Sequence, residues 1–190
     1  MGDRTMMSRA CRWAVCVAVA GAVLAGAADA EATDFRRPFD EQIGVNYGYD
    51  NNYGDAGCVD YACNSRCYDG HGGNDFPLVV GTQVVAVADG TVAATNDGCD
   101  NYGGLGNTCG GRCGNYIKIQ HADGDYSLYC HMKKGAHRVS RGDTVSCGQV
   151  IGETASSGSS TGPHLHLGWE RAPGDRPDAF TGQCTNSPGT

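Results

Sequence analysis

The sequence predicts an all-β protein, a small antiparallel β-sheet domain with long disulfide-stapled loops. Short runs rich in Val, Ile, Thr and Tyr, bounded by Gly, Asn and Asp, recur from residue 82 onward. No segment repeats apolar residues at helical spacing over three turns. The chain also carries 11 cysteines in 190 residues, the usage of a small exported domain that covalent bridges help to hold.

From the start of the chain, residues 1–30 read as an export signal. Arg4, Arg9 and Arg12 precede an apolar small-residue run over 13–28, and Ala28-Asp29-Ala30 supplies a cleavage motif. That run falls short of the roughly 20 residues needed to span a bilayer. Cleavage near Ala30 predicts a secreted chain, extracellular or periplasmic, with no membrane attachment once the signal is removed. Residues 31–70 read as an irregular Cys-containing arm, 71–170 as the functional domain and 171–190 as a tail. Residues 82–87 and 91–95 predict two strands joined by Ala88-Asp89-Gly90, because Asp-Gly favours a tight hairpin. Residues 96–114, rich in Gly, Asn and Cys, predict a long loop that Cys99, Cys109 and Cys113 could staple. Further strands are predicted over 115–121 and 126–131, around the turn Ala122-Asp123-Gly124-Asp125. Residues 144–154 predict short pieces broken by Gly148 and Gly152. A Ser/Gly loop at 156–163 then feeds a last strand over 164–170.

Without residues 1–30 the chain holds eleven Lys and Arg against nineteen Asp and Glu, a net −8. That balance argues against nucleic-acid binding, which needs a basic face. The length suits one domain with a sizeable core, and a monomer is expected. Nine cysteines remain: Cys58, Cys63, Cys67, Cys99, Cys109, Cys113, Cys130, Cys147 and Cys184. Their close spacings are C-x4-C and C-x3-C, not the C-x2-C of sulfur zinc sites. Disulfides are therefore predicted, with one thiol of the odd nine free or intermolecular.

Two compact groups carry chemistry: His71-Gly72-Gly73-Asn74-Asp75 and His164-Leu165-His166. The glycines disfavour a helix, so His71 and Asp75 must converge from a bent or extended segment. On a strand, His164 and His166 share one face while Leu165, Leu167 and Trp169 point the other way, into a core. A hydrolytic zinc site takes three protein nitrogens or oxygens and leaves a position for water. His71, Asp75 and one histidine of the H-x-H pair would supply that set. The other histidine of the pair, with His131, could handle protons.

Five pieces in order carry a family resemblance: His71-x-Gly73-x-Asp75, the stretch Gly81-Thr82 to Asp89-Gly90, Tyr129-x-His131, Gly148-Gln149-x-Ile151-Gly152, and Ser160-Thr161-Gly162-Pro163-His164-Leu165-His166. The sequence resembles the lysostaphin/LytM-type zinc endopeptidase family, hydrolases that cut peptide cross-bridges of bacterial cell-wall peptidoglycan. The resemblance implies one Zn²⁺ per chain held by His71, Asp75 and His166, with His131 and His164 as the uncoordinated catalytic pair. It also implies that the partners are peptidoglycan peptide stems or glycine-rich peptides. The bond cut stays open between a glycine bridge, a D-alanyl–diaminopimelate link and a Gly-Gly bond in an ordinary protein. Tyr68 could add a hydrogen bond to an oxyanion or simply be an exposed arm tyrosine. His121 is read as structural and His137 as a solvated surface residue. Cys130, beside His131, is read as pointing away from the cleft by strand alternation, as a core thiol or disulfide. The loop at 96–114, Cys130 and the arm cysteines depart from the family pattern. The alternative function is a catalytically silent zinc-bearing module of the same fold, an amidase activator or signalling protein. The presence of both His131 and His164 favours the enzyme.

Overall fold

The computed structural model describes residues 35–52, 54–171, 175–180 and 183–185. The export signal expected at residues 1–30 lies outside them. Eight strands form: β1 (Asn74–Phe76), β2 (Gln83–Val85), β3 (Gly90–Asn96), β4 (Asn115–Gln120), β5 (Tyr126–Met132), β6 (Thr144–Val145), β7 (Val150–Glu153) and β8 (Leu165–Glu170). A 3-10 turn at Cys109–Arg112 is the one helical element among the described residues. No helix among them is long and apolar enough to cross a membrane. The main sheet runs β1-β8-β5-β4-β3-β6, and β2 pairs with β7 in a second, two-stranded sheet. Every strand pair is antiparallel.

The alternation of side chains builds the core. Ile117 and Ile119 of β4, Tyr129 of β5 and Leu165 and Leu167 of β8 are fully buried. They cluster with Val84 of β2, Ile151 of β7, Phe39 and Phe76. Each such aliphatic or aromatic side chain contributes about 1.5–3 kcal/mol by leaving water. Tyr129 also ties the layers together, since its hydroxyl accepts the Val87 N–H at 2.9 Å. Burial pushes that phenol up to about 12, so it stays neutral as a hydrogen-bonding post.

The strands predicted around residues 122–125 do pair, as β4 with β5. The hairpin predicted around Asp89-Gly90 does not form. β2 pairs with β7, while β3 pairs with β4 and β6. A two-residue hairpin of the favoured type needs left-handed φ at both turn residues, and neither Asp89 nor Gly90 has it. Instead Asp89 Oδ1 accepts the Cys147 N–H at 2.7 Å, and its carbonyl meets His121 Nδ1 at 2.8 Å. The segment thus hands the chain from the small sheet to the large one. Gly148 does interrupt the 144–154 segment, at φ +81°, whereas Gly152 lies within β7.

The arm and the tail enter the same core. Phe39 from the arm is 1% exposed, Phe35 stacks on Trp169 at 5.0 Å, and Tyr61 stacks on Phe180 of the tail at 5.4 Å. Four disulfides join Cys58 to Cys67, Cys63 to Cys184, Cys99 to Cys109 and Cys113 to Cys130. The second spans 121 residues; in the chain-entropy account a loop that long stabilises by about 4–5 kcal/mol. The loop at 96–114 is stapled as its cysteines suggested. Cys147 stands outside these four pairs and is itself disulfide-bonded, so the odd ninth cysteine of residues 31–190 is the one that pairs with none of the other eight. Titration of residues 31–190 under denaturing, non-reducing conditions should find at most one reactive thiol. Five or more would contradict the bridges described here.

Candidate metal centre

His71 leaves a tight turn at Tyr68–His71, closed by the His71 N–H to the Tyr68 carbonyl at 3.0 Å. Four residues on, Asp75 is in β1, directly opposite His166 of β8. The close approach of these strands needs Gly73. A Cβ there would lie 2.6 Å from His166 Nε2 and 2.6 Å from the Leu167 carbonyl oxygen. On β8, Leu165, Leu167 and Trp169 are buried as the two-residue period predicts, and His166 faces the opposite side.

His71 Nε2, Asp75 Oδ1 and His166 Nδ1 form a near-equilateral triangle. The edges are 3.1 Å from His71 to Asp75, 3.1 Å from His71 to His166 and 2.9 Å from His166 to Asp75. His71 Nδ1 lies 2.6 Å from the Gly48 carbonyl, which can only accept, so Nδ1 carries the proton and Nε2 presents a lone pair. Burial alone would raise the Asp75 carboxyl, but the imidazoles of His166 and His71 against it outweigh burial and hold it well below the usual carboxylate range. Burial pushes the His166 imidazole down, against the pull of Asp75. The triangle therefore brings together two imidazole nitrogens and one carboxylate oxygen. Zinc bound at about 2.0–2.1 Å by tetrahedral N and O ligands sets them roughly 3.3 Å apart, close to the edges observed. The donor set and spacing fit that ion. No second cluster of this kind occurs among the described residues.

His131 and His164 stand beside the triangle. Their rings are 4.5 Å apart, and His164 Nε2 is 3.7 Å from Asp75 Oδ1. His131 Nδ1 donates to the Ser157 carbonyl at 2.6 Å, and His164 Nδ1 donates to the Gly162 carbonyl at 2.8 Å. Both Nε2 atoms are thus left as acceptors. Burial, then the neighbouring imidazoles of His164 and His166, push His131 down to about 3, so it is neutral near pH 7. His131 adopts φ +62°, a left-handed conformation rare for a side-chain-bearing residue. Its N–H bonds the Cys113 carbonyl at 2.8 Å and its carbonyl accepts Ala155 N–H at 2.9 Å, which holds that backbone in place.

The left-handed residue also corrects the reading of Cys130. In the β5–β8 ladder Cys130 is directly opposite His166, so the two side chains leave the sheet on the same face. Alternation fails at His131, and Cys130 is closed off by its bond to Cys113 rather than by facing the core. Tyr68 is half exposed and its ring stacks on His71 at 4.1 Å, which places it at the mouth of the site. His121 bridges the Asp89 carbonyl and Ser127 Oγ and stacks on Trp169 at 5.1 Å. His137 is not simply solvated: it is half-buried, its Nε2 is shielded without a partner, and burial lowers its pKa. The carbonyls of Gly48, Ser157 and Gly162 orient three of the histidines. Backbone oxygens carry no mark in a sequence, so none of these was anticipated.

Comparison with known proteins bears on this geometry. Residues 69–177 match the family described as peptidase family M23. Glycyl-glycine endopeptidase ALE-1 of Staphylococcus capitis is 41% identical over 98 residues, 51% of this chain and 24% of the relative. Peptidoglycan DD-endopeptidase ShyA of Vibrio cholerae is 38% identical over 96 residues, 50% of this chain and 19% of the relative. The match thus spans a quarter or less of these relatives' length. Among solved structures, the catalytic domain of a mutant of the prophage-encoded M23 protein EnpA from Enterococcus faecalis superposes with a TM-score of 0.53 at 25% identity. It covers 80% of this chain and 96% of that one.

Substituting Gly73→Ala should push His166 out of the triangle. Zinc affinity, measured by competition with a chromophoric chelator, should fall at least about tenfold, while far-UV circular dichroism stays that of the parent. Unchanged affinity would mean that the β1–β8 approach does not govern the cluster.

Proposed function

The chain belongs to peptidase family M23, and on that premise we propose that it is a secreted zinc metalloendopeptidase acting on peptide cross-bridges of bacterial peptidoglycan. The observation that carries this reading is the triangle of His71, Asp75 and His166 with two imidazoles beside it whose Nε2 atoms are free to accept. The disulfides support an oxidising compartment, in keeping with the export signal read at residues 1–30. The similar proteins named as glycyl-glycine and DD-endopeptidases support a peptidoglycan substrate.

In this reading His71, Asp75 and His166 hold the zinc. The ion would supply Lewis acidity toward the scissile carbonyl and make a water molecule acidic enough to attack near neutral pH. The protein's own part is proton management. One of His131 and His164 takes the proton from the attacking water through Nε2 and returns it to the departing amine. The imidazolium so formed faces the developing oxyanion until it gives that proton up, and the other ring lines the same site. Hydrogen bonds from Nδ1 to the Ser157 and Gly162 carbonyls keep each ring in the required tautomer. The Asp75 carboxylate tempers the charge of the ion.

The ligand assignment predicts one zinc per chain, lost in His166→Ala and kept in His164→Ala, as read by elemental analysis. The reverse pattern would exchange the two histidines' roles. On purified sacculi and on glycine-rich peptides, His131→Ala and His164→Ala should cut turnover by about 10²–10⁴-fold at parental zinc content. A chelator should stop hydrolysis and added zinc restore it. A parent and variants equally inert on every wall type and peptide would favour a zinc-bearing binding module instead.

A further inference from the structure

The stretch of chain that resembles the family begins at residue 69, yet the residues that grip the metal-centre segment come from before it. Six hydrogen bonds run between residues 46–50 and residues 70–75. Asn46 N–H donates to the Asp75 carbonyl and Asp75 N–H to the Tyr47 carbonyl, each at 2.8 Å. His71 Nδ1–H donates to the Gly48 carbonyl at 2.6 Å. Tyr49 N–H reaches Asn74 Oδ1 at 3.2 Å. Asp50 N–H donates to the His71 carbonyl at 2.9 Å, and Asp50 Oδ2 accepts the Gly70 N–H at 2.7 Å. Asp50 is fully buried, so its carboxylate serves this contact and not the solvent.

The arm is itself held. The Gly48 N–H bonds the Arg66 carbonyl and the Asn51 N–H bonds the Val59 carbonyl, each at 2.8 Å. Both acceptors lie in or beside the loop that Cys58–Cys67 closes. Asn51 Nδ2 and Asn74 Nδ2 both donate to Asp178 of the tail, at 3.0 and 2.8 Å.

We propose that residues 46–50 of the arm are the outer wall of the metal centre, with the Gly48 carbonyl as the positioning group that fixes the tautomer and aim of His71. The proposal rests on the reading of His71, Asp75 and His166 as metal ligands. A carbonyl on the far nitrogen of a ligand histidine keeps the near nitrogen deprotonated and makes it more basic, and losing such a partner typically weakens metal binding 10–100-fold. The arm makes this wall because Gly48 can approach. A Cβ on residue 48 would meet Asp60 Cβ at 3.0 Å. Asp60 cannot yield freely, because its carboxylate accepts the Ala62 and Asn64 N–H groups at 2.9 and 2.8 Å.

Two variants of the full chain test this, Gly48→Ala and the double variant Cys58→Ser/Cys67→Ser, with zinc affinity read by chelator competition. Each should bind zinc about 10–100-fold more weakly than the parent. Imidazole ¹⁵N spectra of the metal-free parent should show His71 as the Nδ1–H tautomer, with Gly48→Ala moving it toward a mixture. A parent that binds no zinc would overturn the ligand reading itself. A parent that binds zinc alongside folded variants of equal affinity would overturn this proposal alone, even if the variants melt at lower temperature. Should Gly48→Ala not fold, the parent's spectrum still decides: an Nε2–H tautomer at His71 rules out the Gly48 carbonyl as its partner.

Discussion

Asp75 stands directly opposite His166 in the β1–β8 ladder, and the site depends on that register. Opposed residues in an antiparallel pair share a face, so one pairing brings two of the three triangle atoms within reach. Sliding β8 by one residue would turn His166 inward and expose Leu165 and Leu167, both now fully buried. The apolar core on one side of the sheet therefore sets the geometry of the polar cluster on the other. Packing that has nothing to do with chemistry is what keeps the chemistry in place.

That arrangement puts polar groups where water is scarce. His71 and Asp75 are buried, and so are Asp50, Asn74 and Asp178 around them. Burial raises the Asp178 carboxyl, and only the hydrogen bonds from Asn74, Phe180 N–H and Asn51 oppose it. Groups like these cost several kcal/mol when left unpaired. Here nearly every one has a named donor or acceptor, drawn from the arm, β1 and the tail. The distribution explains why three separate chain segments must assemble before the triangle exists, and why a covalent tie as long as Cys63–Cys184 suits the fold.

Much of this was legible in the sequence, for physical reasons that also mark the limits. The two-residue period of a strand placed His164 and His166 on one side and their leucine partners in the core. The glycines of His71-Gly72-Gly73-Asn74-Asp75 announced an extended approach rather than a helix. The dense cysteines of 96–114 announced a stapled loop. The Asp89-Gly90 signal failed because a turn motif describes local bending, not which strand the emerging chain will join. The orientation of Cys130 failed because alternation assumes ordinary backbone angles, and His131 does not have them. The contributions of Gly48, Ser157 and Gly162 were invisible because they are made by the main chain, which every residue possesses.

The short outer strands and the coil that lies against them have one more consequence. A sheet normally ends in a row of unpaired amides and carbonyls, a template on which a second copy can add its own strand. Here the main sheet ends in β1, only three residues long and bridged by Tyr47, and in β6, only two residues long. The small sheet is no more open: Val85 N–H donates to Pro38, while Arg138 N–H and Lys133 N–H donate to Ile151 and Glu153 of β7. The borders described here are short or have coil laid along them. A β-rich molecule built this way guards its sheets against strand addition with coil laid along strands, a means separate from net charge.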